Sequence, residues 1–210
     1  MNLADTLADL LTRENRLSFG EIVLTRNPEG SYSATHREDE GKTTGLEPLN
    51  SVRELREMAK NDADGEYRPL KTAPGLKSGW ITTADGAHEF LQRLDGIYPG
   101  LFATWSAYES GSLAPVPLRD TLGRQTGMYR FAGGISDEMA LRLKTELCGR
   151  GCLRHIVWPI DPGSPGEHAS RAAGALPLLC TEACTFAVNL ARTLAKEAYD
   201  LANPPAAAEP

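Results

Sequence analysis

The sequence predicts an α+β protein, predominantly helical. An N-terminal helix and β-hairpin precede a C-terminal helical module that carries four cysteines. Three observations lead to this reading. Leu3, Leu7, Leu10 and Leu11 recur at helical spacing near the start of the chain. Asn27-Pro28-Glu29-Gly30 is a strong turn signal between two extended runs. Toward the far end, Ala183, Phe186, Ala187, Leu190, Ala191, Leu194 and Ala198 form the apolar stripe of a long helix.

Taken in order, residues 2–13 form the first helix, with Asn2 and Asp5 as a capping pair. The hairpin pairs Phe19–Thr25 with Ser31–Arg37. Residues 38–50 are polar and glycine-bearing and read as loop. Here Glu38 and Asp39, like Asp62 and Asp64 further on, are expected on solvated surface. Ser51 and Glu54 make an S-x-x-E box that opens a short helix to about Lys60. Residues 66–82 are irregular and end in a short strand at Trp80-Ile81. A helix from Asp85 to Gly96 presents Phe90, Leu91 and Leu94 on one face. Another helical run starts at Pro99 and carries Leu101, Trp105 and Tyr108.

Beyond Pro115 and Pro117, Leu118–Arg124 reads as one or two helical turns. Ser136 caps a helix whose Met139, Leu143 and Leu147 lead to Cys148. His155–Ile160 is a brief extended run, and 161–177 a loop rich in Gly, Pro and Ser. Thr181 reads as the N-cap of the last helix. The expected domains are an α+β region over 1–97, a helical four-cysteine domain over 98–203, and a disordered tail over 204–210.

Composition narrows the function. With 210 residues, 41% of them hydrophobic, the chain is long enough for a sizeable core. Its net charge is −6 and no basic run exceeds two residues, which argues against a nucleic-acid partner. No apolar stretch approaches the roughly 20 residues of a membrane span. The N-terminus lacks the layout of a signal peptide, so the expected compartment is the cytoplasm, where paired cysteines more often bind metal than bridge.

All four cysteines lie in the last third of the chain, as Cys148-Gly-Arg-Gly-Cys152 and Cys180-Thr-Glu-Ala-Cys184. Two short-range thiol pairs are what a four-thiolate metal site or a cubane iron–sulfur cluster requires. An iron–sulfur cluster is the leading reading. Structural Zn²⁺ is the alternative, because zinc also accepts cysteines two to four residues apart. Gly149 and Gly151 let the backbone turn around a ligand. Arg150 and Arg154 are placed to offset the charge of metal-bound sulfur. With His155 and Trp158 they are candidates for a surrounding layer, although His155 reads more readily as an ordinary, partly buried histidine. Trp105 and Trp158 read as core or as lid residues shielding the site. His36 and His88 lie far off, and His88 lacks the second histidine of a helical zinc motif. No nucleophile elbow, complete phosphate loop or dinucleotide fingerprint is present.

A further set of residues carries a family resemblance. It runs from Tyr67-Arg68-Pro69-Leu70 through Gly79-Trp80, Tyr98-Pro99-Gly100, Ala107-Tyr108 and Pro115-Val116-Pro117-Leu118. Arg124-Gln125-Thr126-Gly127-Met128-Tyr129 and the two cysteine pairs complete it. In this order they resemble the C-terminal half of long CbiX-like chelatases, the DR2241-like group. There a stabilising domain and a four-iron cluster domain follow a sirohydrochlorin-type chelatase domain. The resemblance implies a [4Fe–4S] cluster on Cys148, Cys152, Cys180 and Cys184, and a stabilising region over 1–97. The chain has no room for the chelatase domain itself. The expected role is therefore electron transfer or redox sensing around tetrapyrrole or cobalamin metabolism, beside a tetrapyrrole-pathway enzyme or redox partner, rather than chelation.

Overall fold

The computed structural model describes residues 2–68, 75–113, 117–123, 135–148, 152–157, 173–181 and 183–203. In chain order the described elements are α1 (Leu3–Glu14), β1 (Arg16–Phe19), β2 (Ile22–Arg26), β3 (Tyr32–His36), a 3-10 turn (Arg37–Asp39), β4 (Glu47–Pro48), α2 (Val52–Met58), β5 (Trp80–Ala84), α3 (Ala87–Ile97), α4 (Leu101–Glu109), α5 (Leu118–Gly123), α6 (Asp137–Leu143), a π turn (Lys144–Cys148), β6 (Arg154–Ile156), β7 (Ala175–Leu176), β8 (Leu178–Cys180) and α7 (Thr185–Ala202). The fold class is α+β, as the sequence predicts. The chain gathers into two units. One comprises Met1–Ala114, Leu153–His155 and Ala169–Leu179; the other comprises Pro115–Cys152, Ile156–His168 and Cys180–Pro210.

The first unit is built on a six-stranded sheet in the order β4-β5-β3-β2-β1-β7. The predicted hairpin forms its centre, with Leu24 opposite Ala34 and Thr25 opposite Ser33. β5 joins β3 antiparallel, while β4 and β7 add parallel pairings to β5 and β1. Along β3, Tyr32, Ala34 and His36 are buried and Ser33 and Thr35 half-buried, the period of a strand with one core face. Phe90 of α3 stacks on Tyr32 at 5.5 Å, and Phe19 meets Tyr98 edge-on at 5.7 Å.

Local chemistry sets the element ends. Asn2 caps α1 by accepting the Ala4 N–H at 2.9 Å, and Asn15 closes the helix in the left-handed region at φ 58°. The Ser51–Glu54 capping box is present in both directions. The expected first hairpin strand, Phe19–Thr25, is instead broken: Phe19 ends β1, and the turn Gly20-Glu21 leads into β2. Gly20 has φ +63°, and a Cβ there would lie 2.6 Å from the Leu178 side chain and 2.9 Å from the Tyr98 hydroxyl. Only glycine meets both demands. The Tyr98 hydroxyl accepts the Glu21 N–H at 3.2 Å, and burial pushes its phenol up to about 12. The Glu21 carboxylate is buried and accepts the Leu76 N–H at 2.7 Å.

Two expectations need correction. The stretch 38–50 is not all loop, since it holds the end of the 3-10 turn and the edge strand β4. Asp39 is not solvated surface; it is 1% exposed, and its carboxylate takes the Lys42 ammonium at 2.7 Å and the Gly79 N–H. Burial pushes this carboxyl up, but the Lys42 hydrogen bond, the Gly79 N–H and the Lys42 charge outweigh it and hold the group below its ordinary value.

The second unit is helical around one apolar cluster. Leu118 and Leu122 of α5, Leu143 of α6 and Ala187, Ala191 and Leu194 of α7 are buried in it. Small residues on the inner face of α7 let α6 pack closely, and Arg142 of α6 reaches Glu197 of α7 at 3.7 Å. β6 and β8 pair as a two-stranded ribbon, of which Arg154, His155, Leu178 and Leu179 group with the first unit. The expected disordered tail over 204–210 lies outside the described residues. No described helix is long and apolar enough to cross a membrane.

Candidate metal centre

All four cysteines belong to the second unit. The backbone of Cys148 ends the π turn that continues α6. A π turn widens the helix by one residue and often marks a functional site. Cys152 is half-buried in the segment before β6. Cys180 is the last residue of β8, and its carbonyl accepts the Val157 N–H at 3.4 Å.

Cys184 is placed differently from the sequence expectation. Thr181 is not the N-cap of the last helix. Leu178–Cys180 are drawn into β8, which leaves the helix to begin at Thr185 with Cys184 as its N-cap, at φ −74° and ψ 167°. Its side chain makes no capping hydrogen bond. The first N–H groups of α7 therefore lack the usual side-chain acceptor, at the positive end of an 18-residue helix.

Cys180 and Cys184 are half-buried and pack against the apolar cluster, together with Met139 and with Leu147, the neighbour of Cys148. The donor chemistry fits an iron–sulfur cluster: soft sulfur ligands, an apolar wall that limits solvent, and an uncapped helix start suited to metal-bound sulfur. Among the described residues no three His, Cys, Asp or Glu side chains converge on a single ion, and the Cys148 side chain lies outside that description. Met139 and Leu147 were read from sequence only as helix core. Nothing in the sequence marks the π turn.

The other candidates divide. Arg150 and Trp158 lie outside the described residues. Arg154 and His155 are half-buried strand residues of β6 that group with the first unit. His36 is 3% exposed in the first unit, where its Nδ1 accepts the Glu38 N–H at 3.2 Å. His88 bonds Gln92 on α3. Trp105 is buried, as expected of core.

Comparison with known proteins agrees with this division of labour. The DR2241 stabilising domain matches residues 4–109, and the 4Fe-4S iron–sulfur cluster binding domain matches residues 110–193, which contain all four cysteines. No curated protein matches. Among solved structures, DR2241 from Deinococcus radiodurans aligns over 93% of this chain with a TM-score of 0.71 and 26% identity. That protein is described as multi-domain, with structural similarity to chelatases and two additional novel domains. The present chain covers 42% of its length. An iron–sulfur cluster is thus supported, and no finding supports zinc. With half of its residues matched by that one domain, the chain belongs to the DR2241 stabilising-domain family.

Proposed function

We propose that Cys148, Cys152, Cys180 and Cys184 hold one [4Fe–4S] cluster, and that the protein serves as a cytoplasmic electron-transfer or redox-sensing module for a separate enzyme of tetrapyrrole chemistry. The observation that carries this is the 4Fe-4S domain match over 110–193, the span that contains every cysteine of the chain. A bound cluster supplies one-electron transfer. The chain's part is to provide four thiolates and to exclude water on the side formed by Leu147, Met139 and the α7 core. Arg150, between the first two cysteines in sequence, would offset the negative charge of the thiolate-bound cluster.

The tetrapyrrole link rests on the chelatase likeness of the DR2241 structure. This chain covers 42% of that protein's length, so the link to tetrapyrrole chemistry belongs to the proposal. The test is anaerobic purification followed by absorption and EPR spectroscopy with iron and acid-labile sulfide analysis. The reading predicts a brown protein with about four irons and four sulfides per chain and a reducible EPR signal. A colourless protein with stoichiometric zinc overturns it.

A further inference from the structure

The first unit holds a second feature that the cluster does not use. On the face of the sheet opposite α1 and α3, β2, β3 and the segment after the 3-10 turn enclose a cleft of about 440 Å³. Such a volume suits a small organic ligand. Its floor follows from strand register. Val23, Thr35 and Ile81 form one row across the sheet, and Thr25 and Ser33 the next. Thr43 and Thr44 line the wall, between Gly41 and Gly45, whose φ values are +81° and +78°.

The wall is held in place from its base. The buried Asp39 carboxylate takes the Gly79 N–H, and the Glu47 N–H donates to the Gly79 carbonyl at 2.9 Å. Both ends of the loop are therefore tied to the same residue before β5. The charged groups around the cleft are internally matched: Asp39 with Lys42 and Glu40 with Arg16. The hydroxyls are not matched in this way. Those of Thr25, Thr35, Thr43 and Thr44 make no side-chain hydrogen bond among the described residues. A cleft with paired charges, available hydroxyls and the half-buried apolar side chain of Ile81 complements a ligand that is neutral, rich in hydroxyl groups and apolar on one face.

We propose that this cleft binds a neutral polyol or sugar-like molecule, contacted by Thr25 and Thr35 from the sheet and by Thr43 and Thr44 from the loop. The test uses the full chain, ¹⁵N-labelled, and titrates its amide spectrum with myo-inositol, inorganic phosphate and spermidine in turn. Myo-inositol is expected to shift the amides of Thr25, Thr35 and 41–45, and phosphate and spermidine to leave them in place. Thr25→Val and Thr35→Val keep the strand shape and remove only the hydroxyl, so both are expected to weaken the myo-inositol response with the rest of the spectrum unchanged. No shift with myo-inositol overturns the proposal, and so do shifts produced by phosphate or spermidine. A myo-inositol response that survives in the Thr25→Val/Thr35→Val double variant also overturns it.

Discussion

Gly20→Ala isolates the tightest joint of the first unit. Two costs follow from its surroundings. A non-glycine residue held in the left-handed region loses about 1–2 kcal/mol. The added methyl would also sit 2.6 Å from Leu178 Cδ1 and 2.9 Å from the Tyr98 hydroxyl. Neither group can retreat easily, because Leu178 is 1% exposed and Tyr98 2%. Overpacking of this kind costs about 1–3 kcal/mol. The expected loss is therefore about 2–5 kcal/mol, a large part of a typical domain stability of about 5–15 kcal/mol. Urea unfolding followed by circular dichroism measures it. Gly30→Ala is the matched control: φ is +94° there, but no atom lies within 4 Å of the added carbon. It pays the backbone cost alone, so the difference between the two variants reports the steric contact. If Gly20→Ala lost no more stability than Gly30→Ala, the argument from close approach would be refuted.

Three further outcomes are expected. Cys184→Ser should lose most of the bound iron and the visible chromophore while far-UV circular dichroism stays helical, and full iron retention would exclude Cys184 as a ligand. Asp39→Asn should cost about 1–3 kcal/mol at neutral pH, because a buried charged hydrogen bond to Lys42 is lost. The folded Asp39 carboxyl titrates below its ordinary value, so its stabilisation is present above that ordinary value and fades as pH falls through the lower folded one. The gap between wild type and variant should accordingly close in acid, and a gap independent of pH would count against the pairing. Ser51→Ala removes the α2 capping box and should cost about 1 kcal/mol, read as a shift in urea midpoint at unchanged slope.

What was legible in the sequence is what local chemistry dictates. The α1 stripe, the Asn27–Gly30 turn and the Ser51–Glu54 box each depend on residues within a few positions of one another, and each appears as expected. The spacing of the cysteines was legible for the same reason. What stayed hidden depends on distant partners. β1 and β7 pair across most of the chain, and β4 is only two residues long. Asp39 reads as surface by residue type until Lys42 and Gly79 close over it. Thr181 is a good N-cap by chemistry, yet the pairing of β8 with β6 claims the residues just before it and moves the helix start to Cys184. The π turn before Cys148 likewise has no local signature.

The pairing of β1 with β7 fixes a schedule for biogenesis. The Ser18 N–H donates to the Gly174 carbonyl at 2.7 Å, and Phe19 lies opposite Leu176. The ribosome has therefore passed Cys148 and Cys152 before this edge of the sheet can close. Cys180 emerges just after Leu176, at the end of β8. Closing so long a loop carries an entropic cost that grows with the logarithm of its length, which slows the step. Truncation after residue 114 would leave β1 as a bare edge, open to pairing with another chain. The nascent protein thus gains its last pair of thiols at about the moment its first unit becomes able to finish folding.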